Sequence, residues 1–392
     1  WLLEQLEENG VKVVVSTTSN IESVYTAISL IGKLMGKDAE AEAVIADMQA
    51  TFDDVAARSE KTDKTIYFEV MPLEWGLWTA GKSTFMHELA EICGMKNAFA
   101  DIEGWQQVSQ EQVIERAMGA DIVIVNKVAL TKEIIDQLPD LKFVSTLATG
   151  FNQIDGAALR ERNIPLSNIP AYSTNAVAQM VFAFILELIN KTAHYTADVK
   201  SGTWTSCPDF CYWNSPLHEL DGKVLGVIGF GKIGKRVSEI AKAFGMSVMA
   251  YTPSGKKDGA DDVNFTDMDT VLKNADVVSV HCPLTPDTAG LINKEFIGKL
   301  KNSAYIINTS RGPVANEQDI KDALINGDIA GYGTDVLSTE PPKSDNPLLT
   351  APNCLITPHI AWAAYETRLR LMGILEDNVK GFLNGATVNV VN

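Results

Sequence analysis

Three short segments in the last third of the 392-residue chain carry side chains of complementary chemistry. Asn308-Thr309-Ser310-Arg311-Gly312 follows an apolar run that reads as a strand. Thr334-Asp335-Val336 leads on to Glu340-Pro341, and Thr357-Pro358-His359 ends another apolar run. Open α/β sheets bind ligands beyond the carboxyl ends of their strands, so these segments stand where a ligand belongs. A guanidinium at 311 can clamp a carboxylate through two parallel hydrogen bonds. Reducing a ketone needs a hydride at carbon and a proton at oxygen. The imidazole at 359 suits the proton, because histidine exchanges one near neutral pH in either direction. A carboxylate beside it would orient the ring and favour its charged form. Singly, Arg311 is as well explained by a surface ion pair and His359 by an ordinary loop histidine. In this order, each at a strand end, they point together to hydride chemistry on a small acid.

The hydride would come from a dinucleotide. Gly229-Phe-Gly231-Lys-Ile-Gly234 lies directly after the apolar run Val224 to Ile228 and opens a helix predicted from Lys232 to Phe244. Such glycines allow a tight turn, close approach of a pyrophosphate and close helix packing, while the helix N-terminus favours phosphate charge. The next strand, Ser247 to Tyr251, should end in an acid that reads the ribose of NAD. Instead it runs into Thr252-Pro253-Ser254-Gly255-Lys256-Lys257. Thr252 and Ser254 can bond a hydroxyl or a phosphate. The two lysines suit either a 2′-phosphate or a solvated loop, so NAD and NADP both stay open.

Behind these residues lies a regular alternation of elements. From Lys64 the pattern predicts strands at Thr65 to Val70, Lys96 to Asp101, Asp121 to Asn126 and Phe143 to Leu147. Helices are predicted at Ser83 to Cys93, Ser109 to Ala117 and Thr131 to Leu138. Beyond Asp221 further strands are predicted at Val277 to His281, Ala304 to Asn308, Gly331 to Asp335 and Cys354 to Thr357, with a last helix from about Glu366 to Leu383. Alternation of this kind predicts parallel sheets with helices on both faces. The first 62 residues hold one short strand pattern, Val11 to Val15, and two helical stretches. Asn20 or Ser23 is the cap of the first, and the second runs from about Asp38 to Ala57.

Composition narrows the function classes. A formal charge of -17 would repel a nucleic acid. The longest apolar run, Met180 to Ile189, is too short to span a bilayer and reads as a buried helix, so no membrane partner is expected. The five cysteines are scattered, and Cys207 and Cys211 lack a second pair to complete a zinc site. A reducing cytoplasm suits them. No leader is visible, although the chain opens on Trp1, so its true N-terminus is expected to lie further upstream.

At this point a resemblance becomes specific. Gly229 to Gly234, His281-Cys-Pro-Leu-Thr285, Thr309-Ser-Arg-Gly312, Asp335 with Glu340-Pro341, and Pro358-His359-Ile-Ala361 resemble the D-isomer-specific 2-hydroxyacid dehydrogenases. Leu147-Ala-Thr-Gly150, Pro170-Ala-Tyr-Ser-Thr174, Pro208-Asp-Phe-Cys-Tyr-Trp213 and Trp362 are similar to its glycerate dehydrogenase (hydroxypyruvate reductase) branch. The resemblance covers about 119–392. It implies that His359 is the acid/base, Glu340 its carboxylate partner and Arg311 the substrate clamp. It implies further that the backbone of Ala148, Thr149 and Gly150 cradles the substrate carboxylate and that Asp335 holds the nicotinamide carboxamide. Lys232 and Ile233 would meet the pyrophosphate, with His281, Pro283, Thr288 and Thr309 lining the cofactor. Family members commonly carry an acid at the Thr252 position, and its absence bears on cofactor choice. A homodimer is implied as well.

The first ~115 residues match another pattern. Gly81-Lys-Ser-Thr-Phe and Gly94-Met-Lys-Asn97, within 64–116, resemble the C-terminal lobe of periplasmic substrate-binding proteins for iron-siderophores or cobalamin. The junction is placed near Val113 to Arg116. This piece supplies the strand-helix-strand-helix order with which a dehydrogenase of this family begins, so it either substitutes for that start or is an accidental fusion. Gly76-Leu-Trp-Thr-Ala-Gly81-Lys82-Ser83 also fits GxxxxGK[ST], but Leu77 and Trp78 are bulky for a loop that must wrap phosphates. The expectation is two doubly wound α/β domains, flavodoxin-like and Rossmann, with a helical N-terminal extension. The divisions are 1–62, 63–170 with 364–392, and 171–363, with the active site in a cleft between the latter two. The expected activity is reduction of hydroxypyruvate or glyoxylate. The rival is a solute-binding fragment fused to an inactive dehydrogenase half.

Overall fold

The computed structural model describes residues 18–68, 77–126, 128–255 and 260–392. It divides into two compact units, one running up to Pro170 and resuming at Leu375–Asn392, the other Ala171–Ile374. The expected strand at Val11 to Val15, the end of the strand expected to reach Val70, Gly76, and Lys256 with Lys257 lie outside the described residues.

Among the described residues the first unit opens with helices Ile21–Met35 and Asp38–Arg58. Both residues offered as the cap of the first helix share the task. The Asn20 side chain accepts from the Ser23 amide at 2.8 Å, and Ser23 Oγ accepts from the Asn20 amide at 2.9 Å, a reciprocal capping box. Among the described residues seven short strands follow: β1 (Thr65–Ile66), β2 (Leu77–Ala80), β3 (Lys96–Asn97), β4 (Trp105–Val108), β5 (Ile122–Val125), β6 (Phe143–Thr146) and β7 (Leu166–Ser167). Among the described residues they form three small sheets, parallel β1-β3, antiparallel β2-β4 and parallel β5-β6-β7. Helices Phe85–Ile92 and Gln110–Ala117 lie within two residues of their expected bounds. The antiparallel pair was not expected, because alternation of strand and helix signals only parallel partners.

The same pair disposes of the phosphate-loop pattern. The Gly81 amide donates to Gly104 O at 2.7 Å and the Lys82 amide to Ile102 O at 2.9 Å. A Cβ on Gly81 would stand 2.3 Å from Ile102 O. Two of the backbone donors that a phosphate loop would offer are therefore already bonded to the segment 102–104, and the glycine serves close packing.

The core of β5 to β7 is made by Ile135, Leu138, Leu141, Val144, Leu159 and Leu166. The end of the chain returns to it. Phe382 stacks on Phe143 with centroids 4.7 Å apart. The Asn168 amide donates to Asn389 O at 3.1 Å and the Val391 amide to Leu166 O at 2.8 Å, so the tail covers the open edge of β7.

The second unit contains one parallel seven-stranded sheet. Its strands are β8 (Val224–Ile228), β9 (Ser247–Tyr251), β10 (Asn264–Phe265), β11 (Val277–Val280), β12 (Tyr305–Asn308), β13 (Gly331–Thr334) and β14 (Cys354–Ile356), in spatial order β10-β9-β8-β11-β12-β13-β14. The order reverses beside β8, which makes the crevice between β8 and β11 the switch point for a dinucleotide. Helix Thr174–Asn190 packs on this sheet and buries Val177, Val181, Phe184, Ile185 and Leu188. It comes so close that a Cβ on Gly333 would lie 2.9 Å from Phe184 Cβ. The apolar run Met180 to Ile189 is thus core, and no single helix among the described residues is long and apolar enough to cross a membrane.

Candidate active site

The glycine-rich turn has the shape its sequence implies. Gly229 sits at φ +95, a conformation that L side chains rarely adopt, and a Cβ there would lie 2.7 Å from the His281 carbonyl carbon. Gly231 faces open space, with nothing within 4 Å of the position a Cβ would take. A Cβ on Gly234 would approach Gly229 O to 2.4 Å. One glycine therefore makes the turn, one leaves room for a pyrophosphate, and one brings helix Lys232–Ala243 against the turn. Lys232 is exposed at the helix start and Ile233 is half-buried.

The rest of the expected cofactor lining gathers at neighbouring strand ends. His281 follows β11, where its Nε2 lies 2.8 Å from Ser279 Oγ, and burial pulls its imidazole down to about 4. Thr288 folds back on its own loop, donating to Pro283 O at 2.6 Å. Thr309 Oγ1 is buried with no hydrogen-bond partner, an orphan that a hydroxyl or amide of a bound cofactor would satisfy. Thr252 is half-buried after β9, its hydroxyl 3.4 Å from that of Ser254. These residues fit a nicotinamide dinucleotide. The orphan at Thr309 and the open space at Gly231 are the features that a bound dinucleotide would fill.

The two residues expected to form an acid–base pair are in direct contact. His359 Nδ1 lies 2.6 Å from Glu340 Oε2. An ionised carboxylate only accepts, so Nδ1 carries the proton of this bond and Nε2 is left for other partners. The other Glu340 oxygen, Oε1, accepts from the Leu337 amide at 3.0 Å, which fixes the carboxylate plane. His359 itself adopts φ +54, left-handed backbone that is uncommon for a residue with a Cβ.

Arg311 stands on the adjacent turn. The register pairs Asn308 with Thr334 and Thr334 with Ile356, so the turns carrying Arg311, Asp335 and His359 leave three neighbouring strands at one level. Gly312 makes the approach possible, since a Cβ there would lie 1.9 Å from the Leu337 carbonyl carbon. Arg311 donates to Ser310 O at 2.7 Å and stays half-buried. Its charge also acts on Tyr172, where burial pushes the phenol up and the guanidinium opposes the shift.

Asn308 braces the same turn. Fully buried, it donates to Arg311 O at 3.1 Å and accepts from the Ser310 amide and hydroxyl at 3.0 and 2.8 Å. An amide side chain closing an otherwise apolar strand is the signal that could have marked it as the brace of this turn.

Ala148, Thr149 and Gly150 belong to the other unit, in the loop after β6. There Ala148 O accepts from the Ile169 amide at 3.0 Å and Thr149 Oγ1 donates to Ile169 O at 2.7 Å.

Residues 182–361 match the family profile for the D-isomer specific 2-hydroxyacid dehydrogenase NAD binding domain. Residues 2–149 match a periplasmic binding protein profile, a match that runs through β5 and β6, beyond the junction placed near Arg116. The chain is 47% identical over 284 residues, 72% of its length and 88% of the relative's, to a hydroxypyruvate reductase of Blautia hydrogenotrophica. It is 39% identical over 283 residues, with the same two coverages, to a glycerate dehydrogenase of Methylorubrum extorquens. A solved D-lactate dehydrogenase of Aquifex aeolicus, complexed with NAD and lactic acid, superposes with a TM-score of 0.66 at 30% identity, over 77% of this chain and 92% of that one. With a relative this similar over most of its own length, and with the acid–base pair and glycine turn in place, the chain belongs to the D-isomer-specific 2-hydroxyacid dehydrogenase family.

Proposed function

We propose that the chain reduces hydroxypyruvate, and glyoxylate as a smaller substrate, to the D-2-hydroxy acid with NADH or NADPH. The observation that carries this reading is the 2.6 Å bond between His359 Nδ1 and Glu340 Oε2, beyond the ends of β14 and β13, beside β12 whose end presents Arg311. A reduced nicotinamide supplies the hydride that reaches C2 of the acid. Arg311 pairs with the substrate carboxylate and polarises the adjacent carbonyl. His359 delivers the proton to the carbonyl oxygen from Nε2, and Glu340 stabilises the imidazolium before transfer and holds the ring afterwards. In the reverse direction the same ring accepts the hydroxyl proton. Thr252, in place of an acid, supports acceptance of both cofactors. A homodimer belongs to the same reading, supported by the exposed apolar side chains of Trp204, Phe210, Trp213 and Leu217 in one loop. The rival of an inert dehydrogenase half is disfavoured, because no part of the acid–base pair or the glycine turn is broken.

The test is oxidation of NADH and NADPH with hydroxypyruvate and with glyoxylate, wild type against His359→Gln. Loss of about three orders of magnitude in kcat is expected. A variant that keeps wild-type turnover would overturn the assignment.

A further inference from the structure

The loop after β6 is held from one side only. Ala148 O accepts from the Ile169 amide at 3.0 Å, Thr149 O accepts from Asn168 Nδ2 at 2.8 Å, and Thr149 Oγ1 donates to Ile169 O at 2.7 Å. Among the described residues nothing accepts from the amides of Ala148, Thr149 and Gly150. The carbonyls are tied to the fold, and three successive backbone donors are left for ligand or solvent.

Three amide side chains stand behind that loop. Asn378, fully buried in helix Tyr365–Leu383, donates through Nδ2 to Asn168 O at 2.9 Å and accepts at Oδ1 from Asn389 Nδ2 at 2.7 Å. Its Nδ2 also lies 3.5 Å from Ser145 Oγ on β6. Asn168, 8% exposed, carries the series on through its own Nδ2 to Thr149 O. Every member belongs to the first unit. An amide can accept at one atom and donate at the other, whereas an ionised carboxylate only accepts. Attachment of the tail does not need this series. Ser167 Oγ donates to Val388 O at 2.6 Å, and the Val391 amide donates to Leu166 O at 2.8 Å. Asn392 adds two bonds, accepting from the Leu166 amide at 2.8 Å and donating to Ile164 O at 2.9 Å. The asparagines lead elsewhere, to the loop.

We infer that Asn378 is a positioning residue for the loop 148–150: through Asn168 it fixes the Thr149 carbonyl, so that the amides of the loop stand in place for the substrate carboxylate. A fully partnered polar network in a low-dielectric interior admits one arrangement, because shifting one amide leaves another unbonded. The consequence for substrate rests on the reductase reading, but the holding of the loop stands apart from turnover. The amides would grip the carboxylate alike before and during hydride transfer, so displacing them acts on KM and not on kcat.

The experiment compares wild type with Asn378→Asp, Asn389→Gly and Asn392→Ala. It measures kcat and KM for hydroxypyruvate, the NADH dissociation constant by fluorescence titration, and amide hydrogen exchange. Asn378→Asp keeps the acceptor for Asn389 and sets a second acceptor against Asn168 O. KM should rise at least about tenfold, with kcat within about threefold and NADH affinity within about twofold of wild type. Asn389 is exposed and holds φ +56, so Asn389→Gly removes the amide without backbone strain. It should raise KM about threefold, and it carries the test if Asn378→Asp fails to fold. Asn392→Ala loosens the tail outside the series and should leave KM within about twofold. A rise in Asn392→Ala equal to that in Asn389→Gly would reduce the series to tail attachment and overturn the inference. So would a fall in kcat at unchanged KM, or a loss of NADH affinity that matches the rise in KM. Exchange at the Ile169 amide, which bonds Ala148 O, reads the loop without turnover. It should quicken in Asn378→Asp and Asn389→Gly, and unchanged protection in both would sink the positioning role. Wild-type inactivity toward every 2-oxo acid, with Ile169 exchange quickened in the variants, would defeat the reductase reading and leave the holding of the loop standing.

Discussion

The sheet built from β8 to β14 and the segment from Ile21 to Val108 are made by different means. In the former, strands of three to five residues (the edge strand β10 apart) stack side by side, and β11 and β13 are buried at every position. In the latter, β1 to β4 pair two by two, β1 and β3 are two residues each, and the helix pair ahead of them leaves Ile31, Leu34, Met35 and Val44 exposed. A continuous sheet packed on two cores couples the burial of many strands, so local errors in it cost more. Small paired sheets and helices divide the load, and single positions there matter less. The proposed site lies at the ends of the more deeply buried strands.

Substitutions sharpen that contrast. The largest effect is expected at Gly312, where a Cβ has no room against the Leu337 backbone. Gly312→Ala must move the Arg311 turn, and kcat/KM should fall at least about 100-fold. Gly234→Ala comes next, with NADH affinity reduced about 10- to 100-fold by overpacking the helix against Gly229. The matched change in the front segment, Gly104→Ala, meets nothing within 4 Å and acts only through its φ of +65. It should cost about 1 kcal/mol of stability and leave NADH binding unchanged. Equal effects of Gly234→Ala and Gly104→Ala on NADH binding would erase the distinction.

Core truncation gives the third comparison. Leu225→Ala, at a fully buried position, should cost about 3 kcal/mol in urea unfolding, against less than about 0.5 for the exposed Val44→Ala.

A smaller effect follows from His281. Its imidazole is held down to about 4, so the folded state favours the neutral ring. The stability this gives is complete above about 6.5, the free histidine value, and is lost as pH falls from there through about 4. Melting temperatures across that window should decline less steeply in His281→Asn than in wild type, and identical slopes would remove His281 as a cause. The smallest effect is in thiol reactivity. Burial pushes Cys354 up to about 12 and raises Cys282, whereas Cys93 and Cys211 are exposed. Iodoacetamide at neutral pH should label Cys93 and Cys211 first, as read by peptide mass spectrometry.

Legibility in the sequence follows the same contrast. β8 and β9 were bounded to the residue, and β11 to β14 to within one, because strands buried on a sheet read as apolar runs cut off by glycine, proline or polar residues. The pair β2-β4 was missed because Leu77–Ala80 and Trp105–Val108 carry no run and find each other across 24 intervening residues. The strand expected to end at Asp101 stops at Asn97, whose side chain donates to Ala80 O at 2.6 Å and accepts from the Phe99 amide at 3.0 Å. A local side-chain turn there competes with the ladder.

Residue types and spacing alone determined that a guanidinium, a carboxylate and an imidazole would follow a dinucleotide turn, because motif chemistry is local and strand ends are marked by composition. Which partner each carboxylate takes was open from residue types alone; the resemblance gave Glu340 to His359, and the tertiary structure shows the contact. Glu340 and Asp335 both precede His359, yet one meets the ring and the other the backbone around it. That division depends on the parallel register of β12, β13 and β14 and on the left-handed turn at 359, which long-range pairing sets and no short window of sequence contains.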